Sequence, residues 1–391
     1  MYLNNNELTR LLNKKDLTQD NDHAIGILLG KIAETLSLHY VTPARVERGN
    51  PLVSLEDNYY ALNYDKNEIT LSSRYTKYVE ENLILRTQMS SVIPSLLRKY
   101  KSNIELNNNN QLWLCPGLVY RRDVRDRTHV GEPHQLDIWY LTKEVKTRQD
   151  LLDLVKILIG LIEDLINSNL QAKAKDPKKV KETKIKWRYN ETSHNYTDQG
   201  IEVEIYHNGS WLEILECGLI SQKLLNDHDL GGYSGLALGL GLERLVMILK
   251  GITDIRILYS EDNRIKEQMN NLHLYKEVSV QPSIKRDLSV AVDDDLLIEE
   301  LIETLLSSID ESLQEKIEGI SLVNETYYKD LPQVAIDRLG LEDNQKNMLI
   351  RIVLRDLTKS LTSEEANDIY TIIYEKIHKG SNGYKITNEK K

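Results

Sequence analysis

Apolar residues recur every three or four positions in several parts of the chain, which is the period of a helix with one buried face. Near the start, two such clusters lie at residues 8–12 and 24–28, and Pro43 ends the run. The same spacing predicts a helix over residues 89–100 and a longer amphipathic helix over residues 146–167. The first half of the chain is therefore expected to supply helices that cover a sheet.

Two pairs of segments are rich in β-branched and aromatic residues, as strands are. The first pair is QLWLCPGLVYRRD and HQLDIWYLT, joined by a polar turn. The second pair, IEVEIYH and SWLEILECG, is joined by Asn208-Gly209, a dipeptide that favours a tight hairpin. A glycine-spaced stretch then turns from extended to helical near Gly241. The predicted architecture is α+β, with helices flanking an antiparallel sheet.

The composition changes after Asn270, where a second set of predicted strands and helices begins. Thr362 and Glu365 fit a capping box at the start of its last helix. The order strand–helix–strand–strand–helix predicts a compact ferredoxin-like α/β sandwich. We expect one domain over residues 1–268, including the N-terminal helical segment, and a second over residues 275–391. The predicted elements of the second domain cover residues 283–292, 296–307, 320–328, 348–355 and 363–378.

Charge and cysteine content limit the class of protein. The most apolar run, residues 151–166, is interrupted by four charged residues, Asp153, Lys156, Glu163 and Asp164, so no membrane span is predicted. Two cysteines, Cys115 and Cys217, exclude a disulfide framework and a four-thiolate zinc site, and a cytoplasmic setting is expected. The net charge of −10 argues against indiscriminate coating of nucleic acid. Residues 173–186 nevertheless hold seven lysines and two acids, which suits either an RNA contact or a solvated connector.

The chain contains no phenylalanine, although it has 21 tyrosines in 391 residues. No folding rule demands this, because Phe is an ordinary core residue. The cause must therefore lie in translation, in selection or in deliberate design. Translation of such a chain would not need charged Phe-tRNA.

Two groups of polar residues carry candidate chemistry. Arg121 lies near the end of one predicted strand, while Gln135 and Asp137 alternate onto one face of the next. A guanidinium grips a phosphate with two hydrogen bonds, and a carboxylate with an amide holds an ammonium. Residues 239–245, GLGLERL, place Arg244 at the start of a helix whose dipole favours anions. A surface hairpin and close strand–helix packing are the structural alternatives for these two patterns.

Together, in this order, the two groups resemble a known family. The segment YRRD…THVGEPHQLD resembles motif 2 of the class II aminoacyl-tRNA synthetases, and GLGLERLVMILKGITDIR resembles motif 3. The residues within these motifs are similar to those of phenylalanyl-tRNA synthetases, and so are the segments LILRTQMSSVIP and WLEILECGL. The tail, with QPSIKRDLSVAV and RIVLRDLTKSLTSEEAN, resembles their ferredoxin-fold anticodon-binding domain. The resemblance covers residues 47–378.

The resemblance implies an ATP and magnesium site. Arg121 would hold the α-phosphate of ATP, and Arg244 would hold the γ-phosphate end. Asp123 and His129 would shape the ATP loop, and Pro133 stands where the family has the Phe that stacks on adenine. Magnesium would be held by two further residues, Glu213 and Glu202.

The resemblance also implies an amino-acid site. Gln135 and Asp137 would bind the ammonium, with Ser90 nearby, and Ala237 would set the depth of the side-chain pocket. Several positions differ from the family: Asp137 replaces Glu, His194 and Tyr196 replace two Phe, Gln88 replaces His, and Glu216 replaces Gly. A pocket with these side chains suits phenylalanine or a polar or hydroxylated aromatic amino acid.

The expected activity is therefore activation of an amino acid by ATP and its transfer to tRNA, with phenylalanine first among the substrates. One alternative is a paralogue that activates a different or modified aromatic amino acid, either for tRNA or for another acceptor. Another is a non-catalytic RNA-binding relative, which the presence of Arg121, Glu213 and Arg244 argues against. Both a monomer and a homodimer are compatible with the sequence.

Overall fold

A computed structural model describes residues 2–67, 69–73, 75–103, 110–122, 126–173, 182–278 and 282–382. The chain forms two compact units. Unit 1 comprises Met1–Arg121, Glu132–Ile252 and Glu267–Tyr275. Unit 2 comprises Arg122–Gly131, Thr253–Lys266 and Lys276–Lys391.

Unit 1 is built on a seven-stranded sheet in the order β1-β5-β6-β10-β9-β8-β7. Its neighbours pair antiparallel except for β1, which lies parallel to β5, so the sheet is mixed rather than purely antiparallel. Three short strands form a second sheet in the order β2-β4-β3. The strands of unit 1 are β1 Ala44–Val46, β2 Leu52–Ser54, β3 Tyr78–Glu80, β4 Leu83–Leu85, β5 Gln111–Leu118, β6 His134–Thr142, β7 Trp187–Glu191, β8 Thr197–His207, β9 Ser210–Ile220 and β10 Ser234–Gly241.

The predicted hairpins are confirmed. Strands β8 and β9 are joined at Asn208 and Gly209, whose φ angles of 48° and 88° are those that a tight hairpin turn requires. Strand β10 ends at Gly241 and the next helix begins at Leu242, as the glycine-spaced stretch predicts. The edge strands β1 and β7 were not predicted, because each is short.

Helices cover both faces of the large sheet, but only one face completely. Helices α2, α5 and α7 contact one another and bury the face that carries Leu136 and Ile138. On the opposite face, α4 packs over Trp139 and Leu141. Because α4 covers only that end, residues 88–90 lie against the part of this face nearer to Gln135, and Glu216 and Glu202 beyond it stay partly exposed. The helices of unit 1 are α1 Asn5–Leu12, α2 Ala24–Tyr40, α3 Leu55–Asn58, α4 Ile93–Ser102, α5 Arg148–Lys173, α6 Gln222–Asp227 and α7 Leu242–Lys250.

The helix predicted over residues 89–100 is divided in the structure. A 3₁₀ turn, Met89–Val92, precedes α4. Pro94 lies in the first turn of α4, where a missing backbone N–H costs no hydrogen bond. The tighter turn places residues 88–90 against the sheet, which matters for the site described below.

Unit 2 contains a three-stranded antiparallel sheet in the order β11-β13-β12. Helices α9 and α12 pack on it around an aliphatic core that includes Tyr370. The predicted capping box of Thr362 and Glu365 is confirmed at the start of α12. The elements of unit 2 are α8 Asn263–Lys266, β11 Ile284–Asp293, α9 Ile298–Ser308, α10 Glu311–Gln314, β12 Ile317–Tyr327, α11 Gln333–Leu339, β13 Gln345–Leu354 and α12 Ser363–Ile377.

Within the described residues, no helix is both long and apolar enough to cross a membrane. The two cysteines are free and buried. Residues 174–181 of the lysine-rich segment lie outside the described part of the chain. Both interpretations of that segment therefore stay as predictions.

Candidate active site

A single row of opposed residues crosses the open face of the large sheet. Asp137 on β6 lies opposite Gly239 on β10, which in turn lies opposite Glu216 on β9. Glu216 lies opposite Glu202 on β8. Opposed residues on neighbouring strands share a face, so the row forms one surface about 5 Å wide per strand. A ligand lying along this row would meet a carboxylate at each end and a glycine between them.

Gly239 keeps the middle of the row low. A Cβ atom at this position would lie 3.4 Å from Gln135 Nε2 and 3.5 Å from Asp137 Oδ1. These distances show that the side chains of Gln135 and Asp137 both point toward the glycine. The alternation of Gln135 and Asp137 on one face, predicted from the sequence, is confirmed.

Asp137 is almost fully buried, with 2% of its surface exposed. Its Oδ2 accepts a hydrogen bond from the Ser90 hydroxyl, whereas its Oδ1 has no hydrogen-bond partner among the described residues. Beside it, Gln135 Oε1 accepts from the backbone N–H of Met89 at 3.1 Å, which leaves the amide nitrogen of Gln135 facing Gly239. A buried carboxylate oxygen without a partner is costly, which indicates that a donor from a ligand is missing.

Burial raises the pKa of Asp137 to about 6. The hydrogen bond from Ser90, the indole of Trp139 and the positive charge of Arg121 all oppose this rise. A bound ammonium would add a positive charge beside the carboxylate, which would bring the raised pKa of Asp137 back down. The acid is therefore prepared to ionise when a cationic group arrives.

An aromatic wall stands next to the acid. Tyr196 stacks on Trp139 with ring centroids 5.8 Å apart, and its hydroxyl donates to Ser90 Oγ at 3.1 Å, because the single Ser90 hydrogen is used on Asp137. Ala237 lies opposite Trp139 on the neighbouring strand and is buried. The structure thus brings Ser90, Asp137, Tyr196 and Ala237 together, although they come from four separate segments.

Gln88 lies on the other side of Ser90. Its amide nitrogen donates to the backbone carbonyl of Asn58 at 2.8 Å, and its Oε1 accepts from the Tyr64 hydroxyl at 3.4 Å. Burial raises the pKa of Tyr64 to about 12, so this hydroxyl remains a hydrogen-bond donor. Gln88 is therefore fixed by polar contacts at the edge of the aromatic wall.

His194 and Glu216 form a second polar pair in the row. The His194 Nε2 and Glu216 Oε2 atoms are 2.8 Å apart. Burial lowers the pKa of His194. Burial, together with the charges of Glu213 and Glu202, raises the pKa of Glu216 to about 7. Near neutral pH this pair consequently acts through its hydrogen bond more than through fixed charges.

The two arginines border the same group of acids. Arg121 Nε donates to the Thr87 carbonyl at 2.7 Å, and the charge of Arg121 partly opposes the rise in the pKa of Glu216. Arg244 Nη1 donates to the Glu213 carbonyl at 2.8 Å and lies 3.8 Å from its Oε2. Since a guanidinium has five N–H donors, most of the donors on each arginine remain for a ligand.

Two further carboxylates lie near Glu216. Glu213 and Glu202 both act on Glu216 electrostatically, so their carboxylates lie close to it. The described residues contain no group of three or more His, Cys, Asp or Glu side chains arranged to hold a metal alone. Carboxylate oxygens, one or two at a time together with substrate phosphates, are ligands that Mg²⁺ commonly takes.

The structure does not test the roles predicted for three residues of the ATP site. Asp123 is not among the described residues. His129 lies in unit 2, where its Nδ1 is 3.0 Å from the carboxylate of Asp126. Pro133 is half-buried in unit 1, and its carbonyl accepts from the N–H of Val119. The roles predicted for these residues stay as predictions.

The sequence did not single out Asn58, which organises one side of the site. Its side chain accepts from the Thr87 N–H at 3.1 Å and donates to the Thr87 hydroxyl at 2.9 Å, while its carbonyl accepts from Gln88. Thr87 in turn holds Arg121 through its carbonyl. Asn58 lies in a polar stretch without periodicity, so no local sequence pattern predicts its contacts with Thr87.

Comparison with known proteins places this geometry in a family. Residues 31–269 match the family described as tRNA synthetases class II core domain (F). The chain is 29% identical over 378 residues to the chloroplastic/mitochondrial phenylalanine–tRNA ligase of Arabidopsis thaliana, covering 94% of this chain and 79% of the relative. It is 26% identical over 422 residues to the mitochondrial phenylalanine–tRNA ligase of Dictyostelium discoideum, covering 93% and 85%. The phenylalanine–tRNA ligase alpha subunit of Actinobacillus succinogenes is 28% identical over 249 residues, covering 63% and 67%.

Proposed function

We propose, from the premise that the chain belongs to the class II tRNA synthetases (F), that it activates phenylalanine with ATP and transfers it to tRNA. The observation that carries this proposal is the buried Asp137, whose Oδ1 has no hydrogen-bond partner among the described residues. It shares a row with Glu216, an acid near Arg121 and near the Glu213 that Arg244 contacts. The names of the curated relatives favour phenylalanine over a modified aromatic amino acid.

The amino acid enters with its ammonium toward Asp137. The Oδ1 atom of Asp137 and the second lone pair of Gln135 Oε1 accept from the ammonium, and Ser90 holds the carboxylate of Asp137 in place. The ring of the amino acid lies along Tyr196 toward Ala237, and Gln88 and His194 line the borders of this pocket. This arrangement fixes the carboxylate of the substrate over Gly239, where no side chain intervenes.

The phosphates of ATP lie toward the arginines. Arg121 holds the α-phosphate with the N–H groups that the Thr87 carbonyl does not use, and Arg244 holds the γ-phosphate end. A carboxylate oxygen of the amino acid attacks the α-phosphorus, the bond from that phosphorus to the bridging oxygen breaks, and pyrophosphate leaves. The charge that develops on the phosphates is stabilised by donors that are already oriented.

The second step releases AMP. A ribose hydroxyl of the tRNA attacks the carbonyl carbon of the aminoacyl-adenylate, its proton passes to solvent, and the carbonyl–phosphate oxygen bond breaks. No side chain of the site has to act as an acid or a base in this sequence. The residues of the row therefore work by alignment and by neutralising charge.

Class II synthetases generally use Mg²⁺ with ATP, and in this chain Glu213 and Glu202 would hold the ion. When bound, Mg²⁺ neutralises phosphate charge. Arg244, which lies 3.8 Å from Glu213 Oε2, keeps that carboxylate oriented. Asp123 and His129 are proposed to shape the ATP loop, and Pro133 to lie at the adenine, as the sequence resemblance implies.

Unit 2 is proposed to bind the anticodon of tRNA. Its strand order β11-β13-β12, with α9 and α12 on the sheet, supports a ferredoxin-like module. The proposed domains are the catalytic domain over residues 1–268 and the anticodon-binding domain over residues 275–391. A cytoplasmic location is a further prediction, beside relatives whose names are chloroplastic or mitochondrial.

The test is pyrophosphate exchange with a panel of amino acids, followed by charging of purified tRNAs. Phenylalanine should support exchange at least tenfold faster than tyrosine, and the adenylate should then charge tRNA specific for phenylalanine. Exchange without charging would remove tRNA as the acceptor, and preference for another amino acid would remove phenylalanine. Absence of exchange with every amino acid, in a protein that binds ATP, would end the ligase proposal.

A further inference from the structure

The described cores are built from aliphatic side chains together with Tyr and Trp. The core of unit 2 consists of Leu, Ile, Val, Met and Ala side chains, with Tyr370 and Tyr374 as its aromatic members. In unit 1, Tyr59 and Tyr100 are among the largest fully buried side chains. The chain as a whole has 21 Tyr, 4 Trp and no Phe.

This composition required specific hydrogen bonds in the interior. The hydroxyl of Tyr59 is 2.6 Å from Thr76 Oγ1, that of Tyr140 accepts from Asn110 at 2.9 Å, and that of Tyr370 donates to the Ile284 carbonyl at 3.0 Å. A buried hydroxyl without a partner destabilises a fold by roughly 1–3 kcal/mol, so Tyr is not a neutral substitute for Phe. The fold has been adapted, position by position, to the absence of Phe.

The substrate pocket shows the same adaptation. Tyr196 stacks on Trp139, and its hydroxyl is satisfied by Ser90. If the two residue types were used equally, 21 consecutive choices of Tyr over Phe would not arise by chance. The exclusion of Phe therefore extends to the site where the amino acid itself is activated.

We infer that this chain is a restart enzyme, by which we mean a ligase that can be translated without phenylalanyl-tRNA, the product of its own reaction. The inference rests on the proposed function. Any phenylalanine–tRNA ligase that contains Phe needs phenylalanyl-tRNA for its own synthesis, so loss of that tRNA also stops its replacement. A ligase with no Phe codon is translated from the remaining aminoacyl-tRNAs and then regenerates the missing one.

The experiment uses a reconstituted translation system without a phenylalanine–tRNA ligase, supplied with free phenylalanine, uncharged tRNA and ATP. It receives the message for this chain and the message for a reporter that contains Phe. The reporter should appear after a lag, once the new enzyme has charged the tRNA. A Tyr75→Phe message should yield no reporter, whereas a Tyr75→Leu message should behave as the original, because Tyr75 is an exposed residue outside the site.

A parallel arm adds each protein already purified. All three purified proteins should restore reporter synthesis equally, which shows that Tyr75→Phe acts through the codon and not through the enzyme. Failure of the purified original protein would overturn the proposed function. Success of the purified protein, combined with either no reporter from its message or equal reporter from the Tyr75→Phe message, would overturn the restart inference alone.

Discussion

The two ends of the candidate site are built on opposite principles. At the ammonium end, Asp137 and Ser90 are buried and locked together by a hydrogen bond. At the phosphate end, Arg121 is exposed and Arg244 half-buried, and each is held by one hydrogen bond to a backbone carbonyl. The first end is buried, and its Asp137 Oδ1 atom lacks a hydrogen-bond donor among the described residues. The second end is accessible and offers several guanidinium N–H donors.

This difference indicates how binding energy is distributed. A buried acid with a raised pKa destabilises the unliganded protein and gains its partner only when the ammonium arrives. The two arginines keep contact with water, so they lose little hydration free energy before ATP binds. Selection of the amino acid should therefore depend on the buried end, and acceleration of the reaction on the exposed end.

Replacement of Arg121 should produce the largest effect. In Arg121→Ala, the rate of pyrophosphate exchange should fall by about 10³-fold, since a preorganised donor to the developing phosphate charge is lost. Arg121→Lys should recover little, because an ammonium cannot donate in a bidentate fork. Steady-state exchange kinetics measure this, with Arg45→Ala as an exposed arginine control. A loss below tenfold would mean that Arg121 does not contact the reacting phosphate.

Asp137→Asn should separate substrate binding from stability. The KM for the amino acid should rise by about 10²-fold, because an amide cannot neutralise the ammonium, while the KM for ATP stays unchanged. The folded pKa of Asp137 is raised from 3.8 to about 6, so the ionised carboxylate destabilises the native state above pH 6 by roughly 3 kcal/mol.

The same variant should consequently be more stable than the original protein at pH 8. Its advantage should shrink as the pH falls through 6 and vanish below 3.8, where the carboxyl is protonated in both the native and the unfolded chain. Urea unfolding at several pH values measures this. An Asn variant that is less stable at pH 8 would contradict the assignment of Asp137 as a strained acid.

The pH dependence of kcat/KM for the amino acid should be a smaller effect of the same kind. Between pH 8 and pH 5 it should fall by about tenfold, because Asp137 becomes protonated and loses its attraction for the ammonium. Around Asp137, burial raises the pKa of Tyr64 and of Tyr196, so both hydroxyls stay protonated over this range. Glu216, whose pKa is about 7, is controlled with Glu216→Gln, which should retain the decline near pH 6. A profile that stays flat down to pH 5 would contradict this role for Asp137.

Ala237→Gly should have the smallest effect on catalysis. Removal of one methyl group opposite Trp139 deepens the pocket, so kcat/KM for a para-halogenated phenylalanine relative to phenylalanine should rise by about tenfold. Glycine in a strand should also cost about 1 kcal/mol of stability. Ala291→Gly, at a buried strand position in unit 2, controls for that cost. Unchanged relative specificity would place Ala237 outside the pocket.

Sequence reasoning succeeded where the controlling interactions are local. The period-two pattern of HQLDIWYLT identified the face that carries Gln135 and Asp137, and Asn208-Gly209 identified a hairpin, because both depend on neighbouring residues. The contact between Ser90 and Asp137, 47 residues apart, follows from the 3₁₀ turn before α4 and has no local signature. The support that Asn58 gives to Thr87 was missed for the same reason.

The row from Asp137 to Glu202 makes catalysis sensitive to the alignment of the strands. Each strand contributes one residue, so a slip of one position in β9 would turn Glu216 to the opposite face and bring Cys217 onto the row. A molecule that is compact but wrongly paired would thus be inactive rather than partly active. Enzymatic turnover by this chain is in that sense an assay of correct strand registration.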